Sequence, residues 1–192
     1  MFREVFVLCA LVVCYITFAR AQNMVGKGIW NVISLGKCPE DSMFKYKFDV
    51  TRRKVSRTED GFTAYLNLDG TIDESFAVRI DVCKDAEGGC KPYQVLTDDS
   101  FISFVNKFAE NNVRAAFTLA GLDPPEFPIA GGEYHIKDYV FDYTELPEDG
   151  PYGIFGTQAY LIKDQAEVGC IETMMEFKEK EEEGDDDDDD DS

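Results

Sequence analysis

Four cysteines, Cys38, Cys83, Cys90 and Cys170, remain once an N-terminal leader is set aside, and they constrain this chain more than any other feature. The other two, Cys9 and Cys14, belong to residues 1–21, MFREVFVLCALVVCYITFARA. There a short Arg3-containing start leads into an apolar run from Val5 to Phe18 and a small-x-small ending, Ala19-Arg20-Ala21. That is the pattern of a cleaved secretory signal, and the run is shorter than the ~20 residues that span a bilayer. The mature chain is expected to start near Gln22 and to be secreted. An even set of four cysteines in a secreted domain reads as two disulfides, and sequence alone leaves three connectivities open. Geometry favours one of them. Cys83 and Cys90 enclose a segment ending in Gly88-Gly89, which allows a tight reversal, while Cys38 precedes the first strong strand and Cys170 lies in the last. The first and last strands of a sandwich are often neighbours. A four-thiolate zinc site would want Cys-x-x-Cys pairs, and there are none.

Charge divides the chain. The formal net charge is −19. Residues 178–192 hold eleven acids and two lysines, hence −9, and the leader holds +1, which leaves −11 on residues 22–177. An acidic body argues against nucleic acid and against simple electrostatic docking on anionic membranes. The tail, EKEEEGDDDDDDDS, has nothing to bury and is expected to be disordered. It offers an alternative function, an extracellular acidic interaction protein that holds Ca²⁺ or a basic partner through its aspartates, although no EF-hand loop is present.

Residues 22–177 suit one domain, and their periodicity is mostly two. Phe44, Tyr46, Phe48 and Val50 alternate with Lys45, Lys47 and Asp49; Phe62, Ala64, Leu66 and Leu68 alternate with Thr63, Tyr65 and Asn67; Phe76, Val78, Ile80 and Val82 oppose Arg79 and Asp81. These predict half-buried antiparallel strands. Further strands are expected at 113–119, 134–143, 154–163 and 167–177, with a bulge or two-sided burial where Tyr139, Val140 and Phe141 run together. One stretch changes period. Phe101, Phe104, Val105 and Phe108 follow an i, i+3, i+4, i+7 stripe, which predicts a single helix over about 97–110 with Thr97 as its N-cap and Asp98 and Asp99 in its first turn. The segment from Leu119 to Ile129 carries three prolines and a glycine, so it is neither helix nor central strand. With Leu122, Phe127 and Ile129 it is expected to form an apolar lip.

No catalytic constellation stands out. His135 is the sole histidine and falls at an outward position of its strand. A Ser-His-Asp or Cys-His mechanism would have to run through it. The glycines at 150, 153 and 156 match neither a P-loop nor a dinucleotide fingerprint. No enzyme activity, cofactor or metal is expected.

Several segments together resemble the ganglioside GM2 activator family. They are Phe127-Pro-Ile-Ala-Gly-Gly-Glu-Tyr-His-Ile136, then Glu145-Leu-Pro147, then Gly153 before a strand, then Val168-Gly-Cys-Ile171. The strand Arg79-Ile-Asp-Val-Cys83, the loop to Cys90 and the following helix look like counterparts too, and the likeness spans roughly residues 30–177. Similar features recur in secreted arthropod relatives within the MD-2-related lipid-recognition group. The resemblance implies a mainly β fold, a single antiparallel β-sandwich or β-cup whose apolar cavity holds acyl chains. It also implies disulfides Cys38–Cys170 and Cys83–Cys90, no catalysis by the protein itself, and presentation of a lipid to a hydrolase or receptor, outside the cell or in the lysosome. In that frame Phe48, Leu66, Phe101, Phe104, Leu122, Phe127 and Ile129 are candidates for the cavity or its rim, and Arg79 and Lys137 for headgroup contacts. The product is expected to be a monomer that touches membranes transiently. One departure is clear: Phe127 stands where the family has a cysteine before the proline, and no cysteine lies between Cys90 and Cys170, so the rim loop has no covalent tie.

Overall fold

The computed structural model describes residues 25–56 and 59–180. The expected leader and the tail beyond Lys180 lie outside them. Nine strands and two short helices follow in chain order: β1 (Val25–Lys37), β2 (Lys47–Lys54), β3 (Asp60–Leu68), β4 (Ala77–Ala86), β5 (Gly89–Asp98), α1 (Phe101–Phe108), α2 (Glu110–Leu119), β6 (Gly132–Val140), β7 (Asp149–Pro151), β8 (Gly153–Lys163) and β9 (Ala166–Glu179). A wide sheet runs β5-β4-β8-β9-β1-β7 and a narrow one β2-β3-β6. All strand pairs within the two sheets are antiparallel, and the whole curls into a half-barrel, the expected β-cup. The sheets meet where Tyr46 bridges Gly169 in parallel and its N–H donates to the Val168 carbonyl at 2.9 Å.

Alternation builds the strands as read. In β3, Phe62, Ala64 and Leu68 are buried while Thr63 and Asn67 are exposed, the pattern of a sheet with one dry face. The β3–β6 register slips between Phe62 and Ala64, and Asp138 on the opposing strand takes a φ of 53°, which is the bulge expected near Tyr139. The β4–β5 reversal uses Gly88 and Gly89 at φ 93° and 106°, a left-handed conformation that costs glycine little. The β8–β9 hairpin turns on Asp164 and Gln165, both at positive φ, as a two-residue primed turn requires.

Two expectations need correcting. The helix starts at Phe101, not near Thr97, which belongs to β5; its cap is Ser100, whose Oγ accepts from the Ser103 N–H at 3.1 Å. It also ends at Phe108, because Ala109 leaves helical geometry at φ −157°, ψ 29°. The expected strand over 113–119 is instead α2. Val113, Ala116 and Phe117 have the i, i+3, i+4 spacing of a helix face, and Ala115 and Ala116 favour helix. A remote residue starts this helix. The Glu145 carboxylate accepts from the backbone N–H groups of Asn111 and Asn112, both at 2.9 Å, and from the Asn111 side-chain amide at 2.6 Å. Burial opposes ionisation of Glu145, but these donors outweigh it and hold its carboxyl below the usual range.

Candidate functional site

Both disulfides pair as expected, Cys38 with Cys170 and Cys83 with Cys90. Lys37 is the register partner of Ile171 in the β1–β9 pair, so Cys38 falls opposite Cys170 just past the end of β1. Phe44 and Tyr160 pack against that bridge. The second bridge lies over Gly156 of β8, where an added Cβ would sit 3.0 Å from Cys83 Sγ and 3.1 Å from Cys90 Sγ.

The predicted cavity residues mostly gather in one packed cluster, and Phe127 also edges a small pocket of about 190 Å³ beside Ile102, Val113 and Pro125. Ile129 is buried, and Phe48, Leu66, Phe101, Leu122 and Phe127 pack against a cluster containing Tyr46, Leu68, Phe76, Phe117 and Leu161. Phe104 stands outside this cluster, its ring 4.9 Å from that of Phe108. The Leu119–Ile129 loop, expected as a free lip, is pinned. Ile72 and Ile129 exchange backbone hydrogen bonds of 2.9 and 3.2 Å, and the Phe127 ring meets those of Phe101 and Phe117 edge-on at 5.7 and 5.1 Å. Packing holds this loop without the missing cysteines.

The larger open space lies elsewhere. A cavity of about 770 Å³ crosses β5, β4, β8, β9 and β1 and is lined by Ser34, Asp81, Val82, Cys83, Cys90, Pro92, Tyr93, Gln94, Val95, Gly156, Thr157, Gln158, Glu172, Thr173 and Met174. Along β8, Gly156 is five residues from core residue Leu161, or about 17 Å. The cavity thus lies away from that cluster, beside the buried Phe155. None of the sequence-predicted cavity residues lines it. Apolar surface comes from Val82, Pro92, Tyr93, Val95, Met174 and the Cys83–Cys90 bridge. Tyr93 and Val95 remain 50% and 60% exposed on β5, the outer strand of the wide sheet, and the Tyr93 ring lies 5.4 Å from buried Phe155. Register explains the polar part. Asp81, Gln158 and Glu172 are partners across β4, β8 and β9 and share one face, while Val82, Thr157 and Thr173 in the next row point to the other. The Thr157 and Thr173 hydroxyls share a 2.6 Å hydrogen bond. Tyr160 donates to Gln158 Oε1 at 2.9 Å, and Gln158 Nε2 donates to Glu172 Oε2 at 3.0 Å.

The two predicted headgroup residues are not brought together: Arg79 is on β4 of the wide sheet and Lys137 on β6 of the narrow one. Lys137 is exposed. Arg79 is engaged on three sides, by Asp81 at 3.1 Å, by Glu167 at 2.8 Å and by the Tyr160 ring, 4.4 Å from its guanidinium. Burial disfavours its charge, yet the two carboxylates more than offset this and raise its pKa above the ordinary arginine value. His135 is exposed on β6, with its ring 4.7 Å from that of Tyr65. Among the described residues no group of three or more His, Cys, Asp or Glu side chains is placed to hold a metal ion, and no helix is long and apolar enough to cross a membrane.

The sequence carried little signal for this cavity. Its lining comes from five strands, and Pro92, Tyr93, Gln94 and Val95 sit in a segment without clean alternation. The Gly-Gly hairpin and its disulfide were the one usable marker. No family model matches the chain, and no curated protein matches it in sequence.

Proposed function

We propose that this protein is a secreted lipid carrier of the ganglioside GM2 activator-like type, which houses the apolar chain of an amphiphile in the β-sheet cavity and presents it to a partner such as a lipid hydrolase or receptor. One observation carries the reading: the cavity of about 770 Å³, walled by Val82, Val95, Met174 and a disulfide, with Tyr93 and Val95 exposed at its side. Its size falls within the roughly 300–1,000 Å³ of small-molecule sites. At about 0.8 kcal/mol per buried methylene, ten methylenes contribute roughly 8 kcal/mol before binding costs, on the scale of micromolar affinity. The two disulfides support an oxidising compartment. The curled sheet and the cysteine pairing are the parts of the family resemblance that this fold supports.

The test is native mass spectrometry of the full protein purified from its own source, with uptake of a fluorescent glycolipid by the delipidated protein. Co-purified lipid and saturable uptake are expected. Val95→Asp, which puts a charge into the lining at an exposed position, is expected to weaken uptake at least about tenfold with no change in melting temperature. Protein that is lipid-free from its source and takes up no probe sinks the proposal, and so does a Val95→Asp protein that binds like the wild type.

A further inference from the structure

The polar part of the cavity wall points to the kind of head its occupant carries. This step rests on the lipid-carrier reading. The charged residues in the lining are Asp81 and Glu172, and no lysine, arginine or histidine stands among them. Asp81 is matched by Arg79, which binds both its oxygens at 3.1 and 3.2 Å. Glu172 has no cation against it: its Oε2 accepts from Gln158, and its Oε1 has no partner among the described residues. Gln158 keeps its amide nitrogen toward Glu172, because its carbonyl there would face the carboxylate, and its Oε1 accepts from Tyr160. Ser34 also lines the cavity on the Glu172 face, and its hydroxyl makes no side-chain hydrogen bond among the described residues; both residues are exposed. The site therefore offers one exposed carboxylate without a counter-charge and a hydroxyl. An anionic head would meet Glu172 with no counter-charge inside a body of net charge −11. A head bearing hydroxyl or ammonium donors would find free acceptors.

We infer that the cavity selects an amphiphile whose head is uncharged or cationic and bears hydrogen-bond donors, and rejects one whose head is a carboxylate or phosphate. Glu172 sets this preference. The Arg79 guanidinium, the obvious anchor for an anion, is committed to Asp81 and Glu167.

Three probes with one alkyl chain and different heads test this on the full delipidated protein: palmitic acid, monopalmitoylglycerol and hexadecylamine. Each displaces a neutral fluorescent glycolipid at neutral pH, below its aggregation threshold. The glycerol ester and the amine are expected to bind at least about fivefold more tightly than the acid, with the gap to the acid narrowing at high salt. Glu172→Lys is expected to reverse the order of acid and amine, and its melting temperature reports whether the fold survives. If that variant does not fold, the wild-type series still decides. Equal binding of all three probes, or tightest binding of the acid, overturns the head preference and leaves the lipid reading standing. Binding of none of them, together with failure of the glycolipid itself, overturns the lipid reading and this inference with it.

Discussion

Asp60 is the sharpest place to test how the narrow sheet is held. It opens β3 with only 1% of its surface exposed. Arg52 lies 2.8 Å from its Oδ1, Lys54 3.0 Å away, and the Tyr143 hydroxyl donates to Oδ2 at 3.1 Å. Asp60→Asn keeps the shape and removes the charge. Breaking a buried ion pair costs roughly 3–5 kcal/mol. The low end applies here, because Arg52 keeps a 2.9 Å bond to the Ile33 carbonyl and the Lys54 side chain is 52% exposed. About 3 kcal/mol at neutral pH corresponds to a fall of roughly 6–12 °C in Tm for a chain of this size. The pH dependence separates charge from packing. Burial pushes the Asp60 carboxyl up, but Lys54, Arg52 and Tyr143 outweigh it and leave the pKa below its ordinary value. The wild-type advantage is therefore complete above the unfolded value of about 3.9 and fades as pH falls through the lower folded value. Denaturant melts followed by circular dichroism, at neutral pH and in acid, measure both quantities. A gap under about 1 kcal/mol at neutral pH, or a gap that does not shrink in acid, refutes the reasoning.

Two further outcomes follow from named contacts. Glu145→Gln weakens the charge-assisted cap on α2 and is expected to cost about 1–2 kcal/mol, with hydrogen exchange rising in Glu110–Leu119 ahead of the sheet. Gly169→Ala places a Cβ 2.6 Å from the Phe48 ring and 3.1 Å from the Tyr46 carbonyl oxygen; overpacking of this kind is expected to cost about 1–3 kcal/mol in a denaturant melt.

What was legible in the sequence was local. Period two in Phe62–Leu68 marks a strand because β3 has one dry face, and Gly88-Gly89 marks a hairpin because its turn takes two positive φ angles, which cost glycine little. What was illegible depends on partners. β1 was missed: Gly26, Gly28 and Gly36 interrupt its alternation, and its pairing with β9 shifts register between Val32 and Ser34. β5 was missed because it is exposed nearly throughout and contains Pro92, so no face is dry. The Val113–Leu119 segment satisfies strand and helix patterns alike, and Glu145, which caps the start of its helix, lies 26 to 32 residues further along the chain. Of the aromatic residues expected at the cavity or its rim, Phe48, Phe101 and Phe127 pack against the core cluster and Phe104 does not. The open space is lined by a mixture of apolar and polar side chains from five strands whose sequence pattern does not mark them.

The order of strands in the wide sheet has a consequence for how the chain is made. β1 hydrogen-bonds to β7 and β9 and to no strand between them in sequence. As the polypeptide emerges from the ribosome, its first strand must wait for Asp149 and then for Ala166–Glu179 before it has an edge to join. Cys83 and Cys90 can oxidise as soon as their hairpin exists, whereas the partner of Cys38 is made 132 residues after it. The cavity draws on Ser34 and Met174 alike, so it too comes into being only at the end of synthesis. Non-local pairing of this kind is slow, and until it is complete the unpaired strand is the part of the nascent chain most in need of shielding from its neighbours.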